Sequence, residues 1–158
     1  MRKTGLLAMA AGLSLMAGPA VSEETLMVQV KRLSLDVATT IAQGAVAACR
    51  EKGIQIGVTV VDRDGTVQVT LRDTIAPPIT LPISKGKAYA AVNFSVATRA
   101  DTPIGRVPGL VMSTGGIPIQ VGGALLGAVG VSGAPSGETD AECAQAGIDA
   151  VIDDLEMM

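Results

Sequence analysis

The sequence predicts an α+β domain, about four or five antiparallel strands with helices on both faces. Three observations carry that prediction. Two stretches read as strand, tight turn, strand. Helical apolar spacing occurs before, between and after those hairpins. The chain of 158 residues is 48% hydrophobic and 17% charged, enough for one buried core and too apolar for disorder. With one Tyr, one Phe, no Trp and no His, the core must be built from Val, Ile, Leu, Ala and Met.

The first helix is expected over residues 34–52. Ser34 can cap it and Asp36 suits its positive first turn. Val37, Ala38, Ile41, Ala42, Ala45, Val46 and Cys49 recur at helical spacing, and Gly53 can close the end. Residues 54–62 alternate and are β-branched. Asp64-Gly65 supplies hairpin turn chemistry, and residues 66–72 return as a second strand. Residues 73–82 hold Pro77, Pro78 and Pro82 and read as a loop. A second helix is expected from Ser84, its cap, to Ala97, with Ala88, Ala91 and Val92 as its apolar stripe. Residues 101–110 carry Pro103, Gly105, Pro108 and Gly109 and read as irregular. A second hairpin runs from Ile117 to Val121, through Gly122-Gly123, and from Ala124 to Val131. Gly127 and Gly130 inside that last strand imply close approach by another element or by a ligand. Thr139 and Glu142 form a capping box for a final helix reaching about Leu155.

The N-terminus has the layout of a secretory leader. Arg2 and Lys3 precede an uncharged apolar run from Gly5 to Ala17, and small residues at Ala20 and Ser22 suit cleavage after Ser22 or after Ala20. Residues 1–22 are therefore expected to be a signal peptide, and 23–158 a single periplasmic or secreted domain with no membrane segment after cleavage. In an oxidising compartment Cys49 and Cys143 are candidates for a disulfide; two buried small hydrophobes on helices are the alternative. Packing the first and last helices side by side would bring the two together. The balance is acidic, 15 Asp and Glu against 12 Lys and Arg. That balance disfavours duplex nucleic acid, and the near absence of aromatics removes a stacking platform for single strands. The lack of His excludes His-based triads and His-ligated zinc or haem.

Several segments carry a resemblance. Gly115-Gly116-Ile117-Pro118-Ile119, the glycine turn, Leu126-Gly127-Ala128-Val129-Gly130-Val131-Ser132-Gly133-Ala134 and downstream Asp140 resemble the GlcG/HbpS-like haem-binding family. Val60-Val61-Asp62 with Asp64-Gly65 resembles the V-V-D-x-x-G hairpin of that family. Lys87-Ala88-Tyr89 with Ala91 resembles its K-A-x-T-A helix, Ala90 standing where Thr is usual. The resemblance spans roughly residues 33–155. It implies a profilin-like antiparallel sheet of about five strands, assembly as a homo-oligomer, and haem or a related planar anionic tetrapyrrole as ligand. Some relatives carry a His iron ligand on the first helix, and this chain departs from them there.

Lys87, Tyr89, Met112, Thr114, Gly115 and Gly116 are the candidate ligand-binding residues. Lys87 could meet an anionic group of the ligand, or simply lie on the surface. Tyr89, Met112 and Thr114 offer oxygen or sulfur donors to iron, or pack in the core. Gly115 and Gly116 could expose backbone N–H groups to a ligand, or serve a strand-entry turn. Asp140 reads as a helix N-terminal charge. Ser132-Gly133 has no His to serve it as base, and no acid–base pair converges in the sequence. An exported haem-binding module is thus expected ahead of an accessory oligomer without ligand, and both ahead of an enzyme.

Overall fold

The computed structural model describes residues 26–100 and 107–158. The expected leader lies outside the described residues, as does the first part of the expected irregular stretch 101–110. Helix α1 spans Leu35–Glu51, with Ser34 Oγ accepting the Val37 N–H at 3.3 Å as its cap. Strands β1 (Gly57–Asp62) and β2 (Val67–Arg72) form the first hairpin. Asp62 Oδ1 shapes that turn by accepting the N–H groups of Asp64 and Thr66, both at 2.9 Å. Helix α2 spans Thr80–Phe94, and β3 (Gly116–Val121) and β4 (Ala124–Ser132) form the second hairpin. Helix α3 spans Gly137–Asp149 and the short α4 spans Ile152–Glu156. Among the described residues no helix is long and apolar enough to cross a membrane.

The α+β class holds, with four strands rather than five among the described residues, all antiparallel in the order β2-β1-β4-β3. Helices α1 and α3 cover one face. Val58 and Val60 of β1 and Val129 and Val131 of β4 join Ile41, Ala45, Ala144 and Ile148 there in the main core. Helix α2 covers the other face, where Val61 and Ala128 meet Ala88, Ala91 and Val92. Every residue of β1 is buried. Cover on both faces, together with a central place in the sheet, accounts for that.

Several helix boundaries differ from the sequence reading; among them α2 ends at Phe94, short of the expected Ala97, where Ser95 turns left-handed at φ 54°. Helix α2 begins four residues early, at Thr80, with Pro82 inside its first turn. Proline is tolerated there because first-turn N–H groups lack intrahelical partners anyway. Ser84 is thus an interior residue, fully buried, and not a cap. At the C-terminal end the cap is Ser136, whose Oγ accepts the Thr139 N–H at 3.2 Å, so the Thr139–Glu142 box is not used. The expected single helix also breaks at Val151, which leaves helical geometry at φ −132° and buries its side chain.

The close seat of α2 on the sheet explains one of the strand glycines. A Cβ at Gly130 would collide with the carbonyl oxygen of Ser84, so only a bare Cα lets the helix backbone approach β4. On the opposite face Cys49 of α1 and Cys143 of α3 are joined by a disulfide with a Cα–Cα distance of 5.5 Å. Both cysteines are fully buried.

The disulfide closes a loop spanning 94 positions. In the chain-entropy picture such a loop is worth about 4–5 kcal/mol. Cys49→Ala with Cys143→Ala is expected to lower the unfolding free energy by several kcal/mol in denaturant titration, with little change in the far-ultraviolet spectrum. A second prediction concerns pH. Arg50 donates to both carboxylate oxygens of Asp73, from Nε and Nη2 at 2.7 Å each, and these hydrogen bonds hold the Asp73 carboxyl at about 2, below its ordinary 3.8. A carboxyl lowered on folding stabilises above its unfolded pKa and ceases to do so as pH falls through the folded one. Wild type should therefore lose stability relative to Asp73→Asn between about pH 4 and pH 2, and equal stability slopes for the two over that window would refute the coupling.

Candidate functional site

Helix α2 presents two chemically distinct faces. The inner face carries small and polar residues onto the sheet. Ser84 Oγ and Thr59 Oγ1 share a buried hydrogen bond at 2.9 Å, and Ser84 Oγ also reaches the Leu81 carbonyl at 3.0 Å. One turn further, Lys87 is buried with its side chain 3% exposed. Its ammonium donates to Asp140 Oδ2 at 2.7 Å and to the Val131 carbonyl at 2.9 Å. The other Asp140 oxygen accepts the Ala134 N–H at 2.9 Å. Burial pushes the Asp140 carboxyl above the usual carboxylate range, and the Lys87 and Ala134 donors pull it back. This buried ion pair, with the Val131 carbonyl and the Ala134 N–H as further partners, ties α2, β4 and α3 together.

The glycines entering β3 serve this node. Gly115 sits at φ +124°, and a Cβ there would lie 2.7 Å from the Lys87 ammonium. Its carbonyl accepts the Val131 N–H at 2.9 Å. Gly116 lies against the Lys87 carbonyl; its own carbonyl accepts the Thr98 N–H, and its N–H donates to the Thr98 hydroxyl, which in turn donates to Ser113 O at 2.7 Å. Both glycines therefore contact protein atoms.

The outer face of α2 borders a cleft of about 430 Å³. Its lining is Pro82, Lys85, Gly86 and Tyr89 of α2, Gly65 of the β1–β2 turn and Gly109. The four helix residues fall at i, i+3, i+4 and i+7, which is one stripe of a helix. The Tyr89 ring packs beside Gly65 while the residue stays 37% exposed. The opposite wall is tied to the helix by a backbone bond from the Val111 N–H to the Gly86 carbonyl at 3.2 Å. The volume is in the range of small-molecule sites.

The candidates from the sequence thus divide. Tyr89 lines the cleft. Lys87 points the other way, into the buried node with Asp140, and Gly115 and Gly116 contact the same node. Met112 and Thr114 are half-buried in the segment leading to β3, and Thr114 lies against Gly137. The sequence reading missed Pro82, Lys85, Gly65 and Gly109. The spacing of Pro82, Lys85 and Tyr89 would have joined them, had Pro82 been placed in the helix and not in the preceding loop. Asp140, read as a helix-end charge, is also the counter-ion of Lys87. Among the described residues no group of three or more His, Cys, Asp or Glu side chains could hold a metal ion.

Removing one partner from the buried pair should cost about 3–5 kcal/mol, because the other charge is left without compensation. Lys87→Met is expected to show that loss in thermal or denaturant unfolding. Lys87→Met combined with Asp140→Leu should recover most of it, and additive losses would contradict the assignment.

Comparison with known proteins fits this geometry. The model of a family described as haem degrading protein HbpS-like matches residues 33–149, and the chain belongs to that family. A double mutant of Streptomyces reticuli HbpS is 34% identical, with a TM-score of 0.76 over 86% of this chain and 98% of that one. The Klebsiella pneumoniae protein ORFY, of the DUF336 family, is 25% identical, with a TM-score of 0.75 over 82% of this chain and 97% of its own. PduOC, solved in complex with haem, is 27% identical, with a TM-score of 0.69 over 75% of this chain and 94% of its own. No curated protein sequence matches the chain.

Proposed function

We propose that this protein is an exported haem-binding module, holding haem or a related tetrapyrrole in the cleft on the outer face of α2 for storage, sensing or delivery. The observation that carries the reading is the α2 stripe itself, in a family with a relative solved in complex with haem. The residues present fit such a group. Tyr89 brings a phenol oxygen, a known donor to haem iron, to a chain that has no His. Lys85, one turn before it, brings a cation suited to a propionate, and Gly86 and Gly109 leave room for a flat ring to approach. The haem would supply its own redox and spectroscopic properties; the chain supplies the donor, the counter-charge and the apolar walls.

Export rests on the leader-like residues 1–22, and a homo-oligomer is part of the proposal. Phe94 and Val96 are 37% and 55% exposed, which favours a further apolar contact around the C-terminal end of α2.

The test is a haem titration of residues 23–158 followed by visible absorbance. A saturable shifted Soret band near one haem per subunit is expected. Tyr89→Ala should weaken binding at least tenfold, and Tyr89→Phe should keep affinity better while changing the ligand-field bands. Absence of a saturable change, or Tyr89 variants indistinguishable from wild type, would defeat this placement. Loss of the Soret band under a reductant, with iron released, would favour the haem-degrading activity in the family's description over storage.

A further inference from the structure

The sheet has two outer edges, and they differ. The β3 edge is closed. The Gly116 carbonyl accepts the Thr98 N–H, and the Gly116 N–H donates to the Thr98 hydroxyl, each at 2.9 Å. Pro118, two residues on and so facing the same way, has no N–H to offer. The β2 edge is open. The Asp73 N–H donates inward to the Ile56 carbonyl at 2.9 Å. Backbone direction alternates along a strand, so Thr70 and Arg72 turn their N–H and C=O groups outward. Among the described residues no further strand or loop bonds to them. On the α1 side of this edge lies a groove of about 390 Å³, floored by Val46 and Ala47 of α1 and Leu71 of β2. Arg50 and Asp73 at its end are paired to each other, so the groove leaves no net charge to be met.

The chain also carries a segment suited to such an edge. Residues 26–30, Leu-Met-Val-Gln-Val, place Leu26, Val28 and Val30 at alternate positions and hold no charge. Leu26 is fully exposed, Met27 and Val28 are 84% exposed and Val30 43%. Consecutive apolar side chains left in water mark a contact surface. The root of this arm is fixed. Arg32 is bonded to Asp62 and Asp64 at the β1–β2 turn, and the Leu33 carbonyl accepts Gln68 Nε2 at 3.0 Å. The arm therefore leaves the domain at the end where β2 begins.

We propose that residues 26–30 of one copy lie along the β2 edge of a second copy as an added strand, with Leu26, Val28 and Val30 over the floor of the α1–β2 groove and Gln29 on the Thr70 side. Five extended residues reach about 17 Å, against about 20 Å for the six of β2. The outward N–H and C=O groups of β2 supply the affinity, and the alternate aliphatic side chains supply the fit. An uncharged arm suits a groove whose charges are already paired, where a charged peptide would find no counter-charge. Within its own chain the arm is exposed and the edge unpaired, so the occupant is a second copy. Each copy has both arm and edge, and reciprocal exchange closes a dimer. This adds a specific contact to the homo-oligomer proposed above and does not rest on haem binding.

The test is the mass of residues 23–158 by size-exclusion chromatography with light scattering. At least two subunits are expected. Val28→Asp puts a charge on the arm and leaves the folded domain untouched; it should lower the mass at least twofold. Thr70→Pro removes an outward N–H and no ladder bond, and should do the same with an unchanged far-ultraviolet spectrum. Should Thr70→Pro unfold, Val28→Asp and a cross-link decide. For the cross-link, a Gln29→Cys chain and a Thr70→Cys chain are mixed and oxidised, and a covalent dimer holding one of each is expected. The proposal is overturned if the wild type is a monomer, if Val28→Asp or folded Thr70→Pro keeps the wild-type mass, or if no mixed dimer forms. It is equally overturned if Gln29→Cys and Thr70→Cys placed in one chain link within that chain, since the arm then closes on its own β2. Haem titration should be the same in all these variants, because none of them touches the α2 cleft, so the two readings fail separately.

Discussion

The buried contact between the Lys87 ammonium and the Asp140 carboxylate is the constraint around which this domain is arranged. A charge in a protein interior is tolerated only with its counter-charge and with its remaining hydrogen-bonding capacity filled. Each requirement fixes a piece of chain. Asp140 must stand at the start of α3, which sets where that helix begins. The Val131 carbonyl must face the ammonium, which sets the end of β4. The Ala134 N–H must face the second carboxylate oxygen, which folds the loop between β4 and α3 over the pair. Gly115 must lack a side chain because the ammonium occupies its place. Four separate stretches of sequence thus answer to one lysine.

The same contact explains why α2 is built from small residues. Holding Lys87 beneath the sheet end requires the helix axis to lie close to β1 and β4. Ala88 and Ala91 keep side chains short at that interface, Ser84 bonds Thr59 there, and Gly130 lets the Ser84 carbonyl in. The opposite face of the sheet follows ordinary rules, with buried branched aliphatic side chains from α1, β1, β3, β4 and α3 and a disulfide across two helices. A domain with one closely seated helix and one conventional aliphatic layer needs no aromatic core, consistent with its single Tyr and single Phe both lying partly exposed on α2.

Much of this was legible in the sequence because periodicity and turn chemistry are local. Ser34, Asp64-Gly65 and Gly122-Gly123 act where their residue types say they should, and the four strands match the stretches read as strands, β3 and β4 each one residue longer. Setting the first and last helices side by side brings Cys49 near Cys143, and of the two readings the sequence leaves open, disulfide or two buried thiols, the structure has the disulfide. What escaped were the features decided at a distance. Pro82 reads as a loop residue until its place in a first turn is known, and that misplacement hid the stripe Pro82, Lys85, Tyr89. Lys87 reads as a ligand-facing or surface cation because nothing near it in sequence announces a carboxylate 53 positions later. Thr139 and Glu142 match a capping pattern, yet Ser136 takes the role because the loop held by Asp140 places it there.

That division of labour on α2 bears on how a chain without histidine can present a ligand site. A donor side chain is useful to a ligand only if its position is fixed within a fraction of an ångström, and donors on rigid elements meet that condition better than donors on loops. Lys87 and Tyr89 are two residues apart, so on a helix they point to different sides. The residue that locks the helix is therefore not the one that lines the cleft, and Tyr89 is held by a lock it does not touch. The opposite wall of the cleft is of another kind: it comes from an irregular segment bonded to α2 through the Val111 N–H and the Gly86 carbonyl. One wall is set by a buried ion pair and the other by irregular backbone, so the first is the more rigidly placed of the two.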